Sequence, residues 1–152
     1  MKRRLVIASV LLIILLLFCF FHVRGSELTG IASISEEYTA TVMKQPASLT
    51  EKEVQYSLND RQITAMRDLF LETTFTRRLS SGFSYTGPKD EYVITLELTG
   101  ADGKQLDFFH IFCVGNQYCQ ISAPYYNLNL NLNIHDPNWQ DALERILSDD
   151  FS

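Results

Sequence analysis

The chain has 152 residues, 46% hydrophobic and 20% charged, a balance that excludes extended disorder and collagen-like repeats. All 18 acidic residues lie beyond residue 25, together with nine of the 13 basic ones, so residues 26–152 carry a net charge of −9. A surface that acidic repels phosphate backbones and excludes nucleic acid as a partner, and a stretch of this length suits one domain rather than two.

Lys2-Arg3-Arg4 precedes residues 5–23, a run of 19 without formal charge in which only Ser9 and His22 interrupt the apolar character. At about 1.5 Å per helical residue the run approaches the ~30 Å of a hydrocarbon core. Residues 1–25 are therefore expected to form an N-terminal transmembrane or signal helix. The basic triplet keeps the N-terminus cytoplasmic and sends the remainder outward, giving a single-pass protein of the cell membrane. The run exceeds the roughly 7–15 apolar residues of a signal peptide, which favours an uncleaved anchor. Val23-Arg24-Gly25 offers the alternative, cleavage near Gly25 and secretion. Lipidation at Cys19 is disfavoured, because bulky Phe18 occupies the position where a small residue is required. Residues 26–30 read as a short polar linker, and 31–152 as the extracytoplasmic domain.

Ile31 and Ile34 open a strand-like region that continues through Tyr38-Thr39-Ala40-Thr41-Val42-Met43. Gln45-Pro46-Ala47-Ser48 breaks it, and Val54, Tyr56 and Leu58 then alternate with Gln55 and Ser57 as a half-buried strand. Asn59 and Gln62 make a capping box for a helix whose stripe is Ile63, Met66, Leu69 and Phe70. That helix is expected to end near Glu72, where Thr73-Thr74-Phe75-Thr76 turns β-branched. After Arg77-Arg78 comes a long Ser/Gly/Pro-rich loop, residues 81–90. Tyr92, Ile94, Leu96 and Leu98 form the next alternating strand. The Asp102-Gly103 turn leads to a return strand over 106–114, and a further turn near Gly115 leads to a strand over 118–123.

Residues 126–134 alternate five apolar residues with four asparagines, which puts a buried face opposite an amide ladder. Either the amide face is simply solvated, or this is an edge strand that recruits a partner by strand addition. Asp136 as N-cap and Pro137 at the first helical position start a final helix built on Trp139, Leu143 and Ile146. The fold class expected is α+β: an antiparallel β-meander packed with one central amphipathic helix and a C-terminal helix.

Chemistry-bearing residues are sparse. No Gly-x-Ser-x-Gly elbow, His-Glu-x-x-His, Cys-x-x-Cys, calcium loop or dinucleotide fingerprint is present. Asp107 and His110, three apart on a strand, face opposite sides. No catalytic, cofactor or metal residue is assigned, and none of these patterns points to an enzyme. Cys113 and Cys119 flank one turn. A three-residue turn over 115–117 sets them opposite each other as a candidate disulfide, whereas a two-residue turn pairs Cys113 with Tyr118 and leaves two thiols. Arg77 and Arg78, followed by Phe83 and Tyr85 in the long loop, form a candidate binding surface, the alternative being arginines that neutralise nearby carboxylates.

Asp90-Glu91-Tyr92-Val93-Ile94-Thr95-Leu96, then Asp102-Gly103-Lys104, then Ile121-Ser122-Ala123-Pro124-Tyr125 ahead of a terminal helix resembles small exported α+β domains of Gram-positive bacteria, whose function is uncharacterised. The resemblance covers residues 31–147, implies an exported α+β domain and carries over no catalytic residue. The expected function is a membrane-anchored or secreted cell-envelope binding or accessory module, with an envelope protein or peptide as partner. The alternatives are a secreted inhibitor or immunity-type protein, and a hydrolase with an unrecognised site.

Overall fold

Strict alternation along the central strands decides which side of the sheet is covered. Ala40 and Val42, then Tyr92, Ile94 and Leu96, then Phe109, Ile111 and Cys113 are all buried in one cluster with the helices. Their neighbours Thr41, Thr95 and His110 occupy the opposite face, as period-two geometry requires. The computed structural model describes residues 2–28, 30–35, 37–48, 50–78 and 88–148, and within the first helix the side chains of residue 7 and residues 9–21.

The elements in chain order are α1 (Lys2–Phe21), β1 (His22–Arg24), β2 (Thr39–Gln45), β3 (Val54–Leu58), α2 (Asp60–Glu72), β4 (Thr74–Arg77), β5 (Glu91–Thr99), β6 (Gln105–Val114), β7 (Tyr118–Ala123), β8 (Leu128–Ile134) and α3 (Trp139–Leu147). The strands form one eight-stranded sheet in the order β1-β4-β8-β7-β6-β5-β2-β3, with every pairing antiparallel. This is the expected α+β class, and β5 to β8 are the expected meander.

Helix α2 is the long crossover, from β3 at one edge to β4 next to the other. Its start is built as the sequence indicates: Asn59 Oδ1 accepts from the Gln62 N–H at 3.0 Å, and Gln62 Oε1 accepts from the Asn59 N–H at 3.0 Å. Ile63, Met66 and Phe70 are its buried stripe, and Phe70 meets Trp139 of α3 edge-on with ring centroids 5.6 Å apart. Helix α3 starts later than expected. The Asp136 carboxylate accepts from the Asn138 N–H at 2.8 Å, forming a turn over Pro137 before the helix begins at Trp139.

Two further expectations are corrected. Residues 31–33 form a single 3-10 turn, not a strand. Just before and within residues 26–30, Gly25 and Leu28 are buried while Ser26 and Glu27 are exposed, and the Gly25 N–H donates to Thr73 O at 2.8 Å. The Asn-rich strand β8 is not an edge strand, since it pairs with β7 on one side and β4 on the other; Asn129 is exposed while Asn131 and Asn133 are half-buried.

The head of the chain also differs from expectation. His22 and Val23 leave the apolar run and join the sheet, opposite Thr76 and Phe75. The apolar part of α1 that remains, residues 5–21, is about 25 Å long. Among the described residues no helix is long and apolar enough to cross a membrane.

Candidate functional site

An inward-facing lysine marks the most elaborate polar site. Ala40, Val42 and Lys44 share the helix-covered face of β2, so alternation carries the Lys44 ammonium towards α3. There Nζ lies 2.9 Å from Glu144 Oε1 and 3.0 Å from Asp90 Oδ2. The Tyr92 hydroxyl donates to Glu144 Oε1 at 2.5 Å, and Gln140 Nε2 donates to the same oxygen at 3.1 Å. Asp90 is held in turn by the Ala47 N–H at 2.8 Å. All three donors to Glu144 use Oε1; among the described residues no hydrogen bond engages Oε2.

These contacts fix the protonation states. Partial burial opposes the Lys44 ammonium, but hydrogen bonds and charge from Glu144 and Asp90 outweigh it, and its pKa rises above the ordinary lysine value. Burial likewise opposes the Glu144 carboxylate, and the hydrogen bonds from Tyr92, Lys44 and Gln140 outweigh that, so its pKa falls. Burial, reinforced by Glu144, pushes the Tyr92 hydroxyl far up. Each of the three pKa values moves away from the middle of the pH range, with Lys44 and Glu144 charged and Tyr92 neutral, the reverse of what a general acid or base needs. The arrangement suits recognition by fixed charge.

The cluster floors an open groove of about 300 Å³ lined by Lys44, Tyr56, Glu144, Leu147 and Ser148. A second groove of about 290 Å³ runs along Gln55, Tyr56, Ser57, Asn59, Gln62 and Leu147. Tyr56 and Leu147 border both, so the two grooves lie end to end beside β3.

The residues singled out from the sequence lie elsewhere. Arg77 and Arg78 diverge: the Arg77 guanidinium stacks over the Phe20 ring at 5.1 Å, while that of Arg78 lies over the Tyr118 ring at 5.3 Å. Phe83 and Tyr85 lie outside the described residues. Cys113 and Cys119 are directly opposite each other across the three-residue turn, both buried, with sulfurs 3.5 Å apart as thiols. His110 is exposed on the open face while Asp107 is buried, accepting from Tyr38 Oη at 2.5 Å and Tyr126 Oη at 2.9 Å. His135 bonds Thr76. No group of metal-ligating residues is assembled among the described residues.

Lys44, Asp90, Tyr92, Gln140 and Glu144 were missed by motif reading, which has no pattern for them. One signal was present: Lys44 occupies an inward position in the alternation of its strand, where a charge requires partners. Compared with known proteins, the chain matches no family model, no curated protein and no solved structure.

Proposed function

We propose that this protein is a membrane-anchored, extracytoplasmic binding module of the cell envelope, with α1 embedded in the bilayer and the sheet domain outside. One observation carries the reading: the apolar side chains of α1 are exposed all round the helix. From Val10 to Phe18 every large hydrophobic residue is about half exposed or more, with Leu11 at 61%. Consecutive positions cover every side of a helix, and one that is apolar all round requires an apolar surrounding. The ~25 Å apolar length falls short of a typical core, and a short helix is accommodated by local thinning and by basic residues reaching to the interface. Lys2-Arg3-Arg4 sets the orientation. Binding, rather than catalysis, is favoured by the Lys44–Glu144 cluster, whose titrating groups are held in fixed states.

The test is alkaline extraction of membranes followed by protease treatment of wall-stripped intact cells. The chain should stay in the membrane pellet, and external protease should digest the domain. Release into the alkaline supernatant would remove the anchor; a domain protected until lysis would reverse the orientation.

A further inference from the structure

Strand β3 closes one end of the sheet, and among the described residues its outer side pairs with no other strand. Alternate residues of such a strand direct N–H and C=O groups outward, ready to pair with another chain. Natural edges are usually blunted by lysine, proline or a bulge. Val54-Gln55-Tyr56-Ser57-Leu58 has no charge and no proline, its register with β2 is regular, and Val54 is 41% exposed. The opposite edge differs: β1 has three residues and is joined directly to α1.

The two grooves lie where a ninth strand would project its side chains. Val54, Tyr56 and Leu58 share the helix-facing side of β3, because Tyr56 and Leu58 pair with the inward residues Val42 and Ala40. A strand added about 4.8 Å further out would direct alternate side chains to that same side. There the end of α3 leaves open space bordered by Tyr56, Leu147 and Glu144. The charge around this space has one sign in excess. Lys44 stands against two carboxylates, Asp90 and Glu144. Lys44 is already engaged by both carboxylates, whereas among the described residues no hydrogen bond engages Glu144 Oε2.

The geometry points to β3 as a docking edge for an extended cationic peptide segment of a partner protein. The segment adds as a ninth, antiparallel or parallel strand, and a lysine or arginine on its inward side reaches Glu144 while an apolar neighbour lies against Tyr56 and Leu147. Backbone pairing supplies affinity, and the grooves supply specificity. This deepens the binding-module reading and rests on it, but not on where the chain resides.

The experiment uses the full chain in detergent micelles and two capped heptapeptide probes, Thr-Val-Thr-Lys-Thr-Val-Thr, which sets lysine between two valines on one face, and the same peptide with glutamate in place of lysine. Hydrogen exchange of the β3 amides and titration by NMR are the readouts. The valine–lysine peptide should protect amides within residues 54–58 and should bind about tenfold more tightly than the acidic one. Glu144→Gln should weaken it about tenfold, and Val54→Lys, which places a like charge on the edge, should also weaken it while leaving the amide spectrum dispersed. Absence of β3 protection, or equal binding of the two peptides, overturns the proposal. Protection that grows with protein concentration in the absence of peptide also overturns it, and assigns the edge to a second copy of the chain. Peptide capture does not depend on the outcome of the protease assay on intact cells, so failure of the one leaves the other standing.

Discussion

Glu144 and Lys44 stabilise the fold in opposite pH limbs, and the sign of each follows from its shift. The Glu144 carboxyl titrates lower in the folded chain than the ordinary glutamate value of about 4.3. Its contribution is present above that ordinary value and is lost as pH falls through the depressed folded value. Lys44 titrates higher than the ordinary lysine value of about 10.4. Its contribution is complete below that value and is lost as pH rises through the elevated folded value. The pair should therefore give a stability plateau from about pH 5 to pH 10, with Glu144→Gln flattening the acid limb and leaving the open-face residues undisturbed. Denaturant midpoints measured from pH 3 to 7 would check this; an acid limb as steep in the variant as in the parent would show that other carboxylates dominate. At this scale the sequence was partly legible. The facing of Cys113 and Cys119 was one of the two registers that the turn after Val114 allowed, whereas the partners of Lys44 come from a loop end, the next strand and the last helix, and no local spacing relates them.

Several elements were legible because local chemistry decides them. The capping box at Asn59, the Asp102-Gly103 turn and the alternation through β5 are each fixed within a few residues, and each stands where the pattern put it. The turn needs its glycine, since Gly103 adopts φ +78°. Of the elements misread, the start of α3 turned on the local Asp136–Asn138 contact, and the end of the apolar head on a distant partner. His22-Val23-Arg24 looks like the end of an apolar helix and becomes a strand because Thr74-Phe75-Thr76 presents an open edge. Gly25 follows immediately, and its role is one of close approach: a Cβ built there would lie 1.6 Å from the Phe70 carbonyl oxygen and 2.9 Å from Leu71 Cα. Both are backbone atoms of α2, so no side-chain rearrangement relieves the contact. Gly25→Ala should accordingly cost about 3 kcal/mol, the upper end for overpacking, measured as a loss in denaturant midpoint of the full chain. A change within about 0.5 kcal/mol, as for an ordinary surface substitution, would mean that the turn into the domain can move away from α2.

Across the whole molecule, the sheet begins inside the apolar head drawn from composition. The boundary drawn from composition falls at residue 25, where charge begins, but the sheet begins at His22 and the core takes in Val23 at 3% exposure. Composition shows where a segment is greasy; it does not show whether the last greasy residues face lipid or pair with a strand 50 residues away. Strand order was hidden for a similar reason. The meander could be read from its turns, but α2 carries the chain from one edge of the sheet to near the other, which buries β8 and leaves β3 outermost. The same geometry bears on processing. Cleavage after Gly25 would remove β1, the Val23 side chain and the Gly25–Thr73 hydrogen bond, and would expose the outer side of β4. Burying a valine contributes about 1.5 kcal/mol or more, and each net hydrogen bond about 1 kcal/mol. A fragment of residues 26–152 should thus be less stable than one of residues 22–152 by about 3 kcal/mol, a fall of roughly 10 °C in thermal midpoint for a chain of this size. The comparison needs only thermal unfolding of the two fragments side by side. Equal midpoints would make β1 dispensable and restore a cleaved, secreted domain as an equal alternative; the expected gap means that cleavage after Gly25 would discard residues on which the stability of the domain depends.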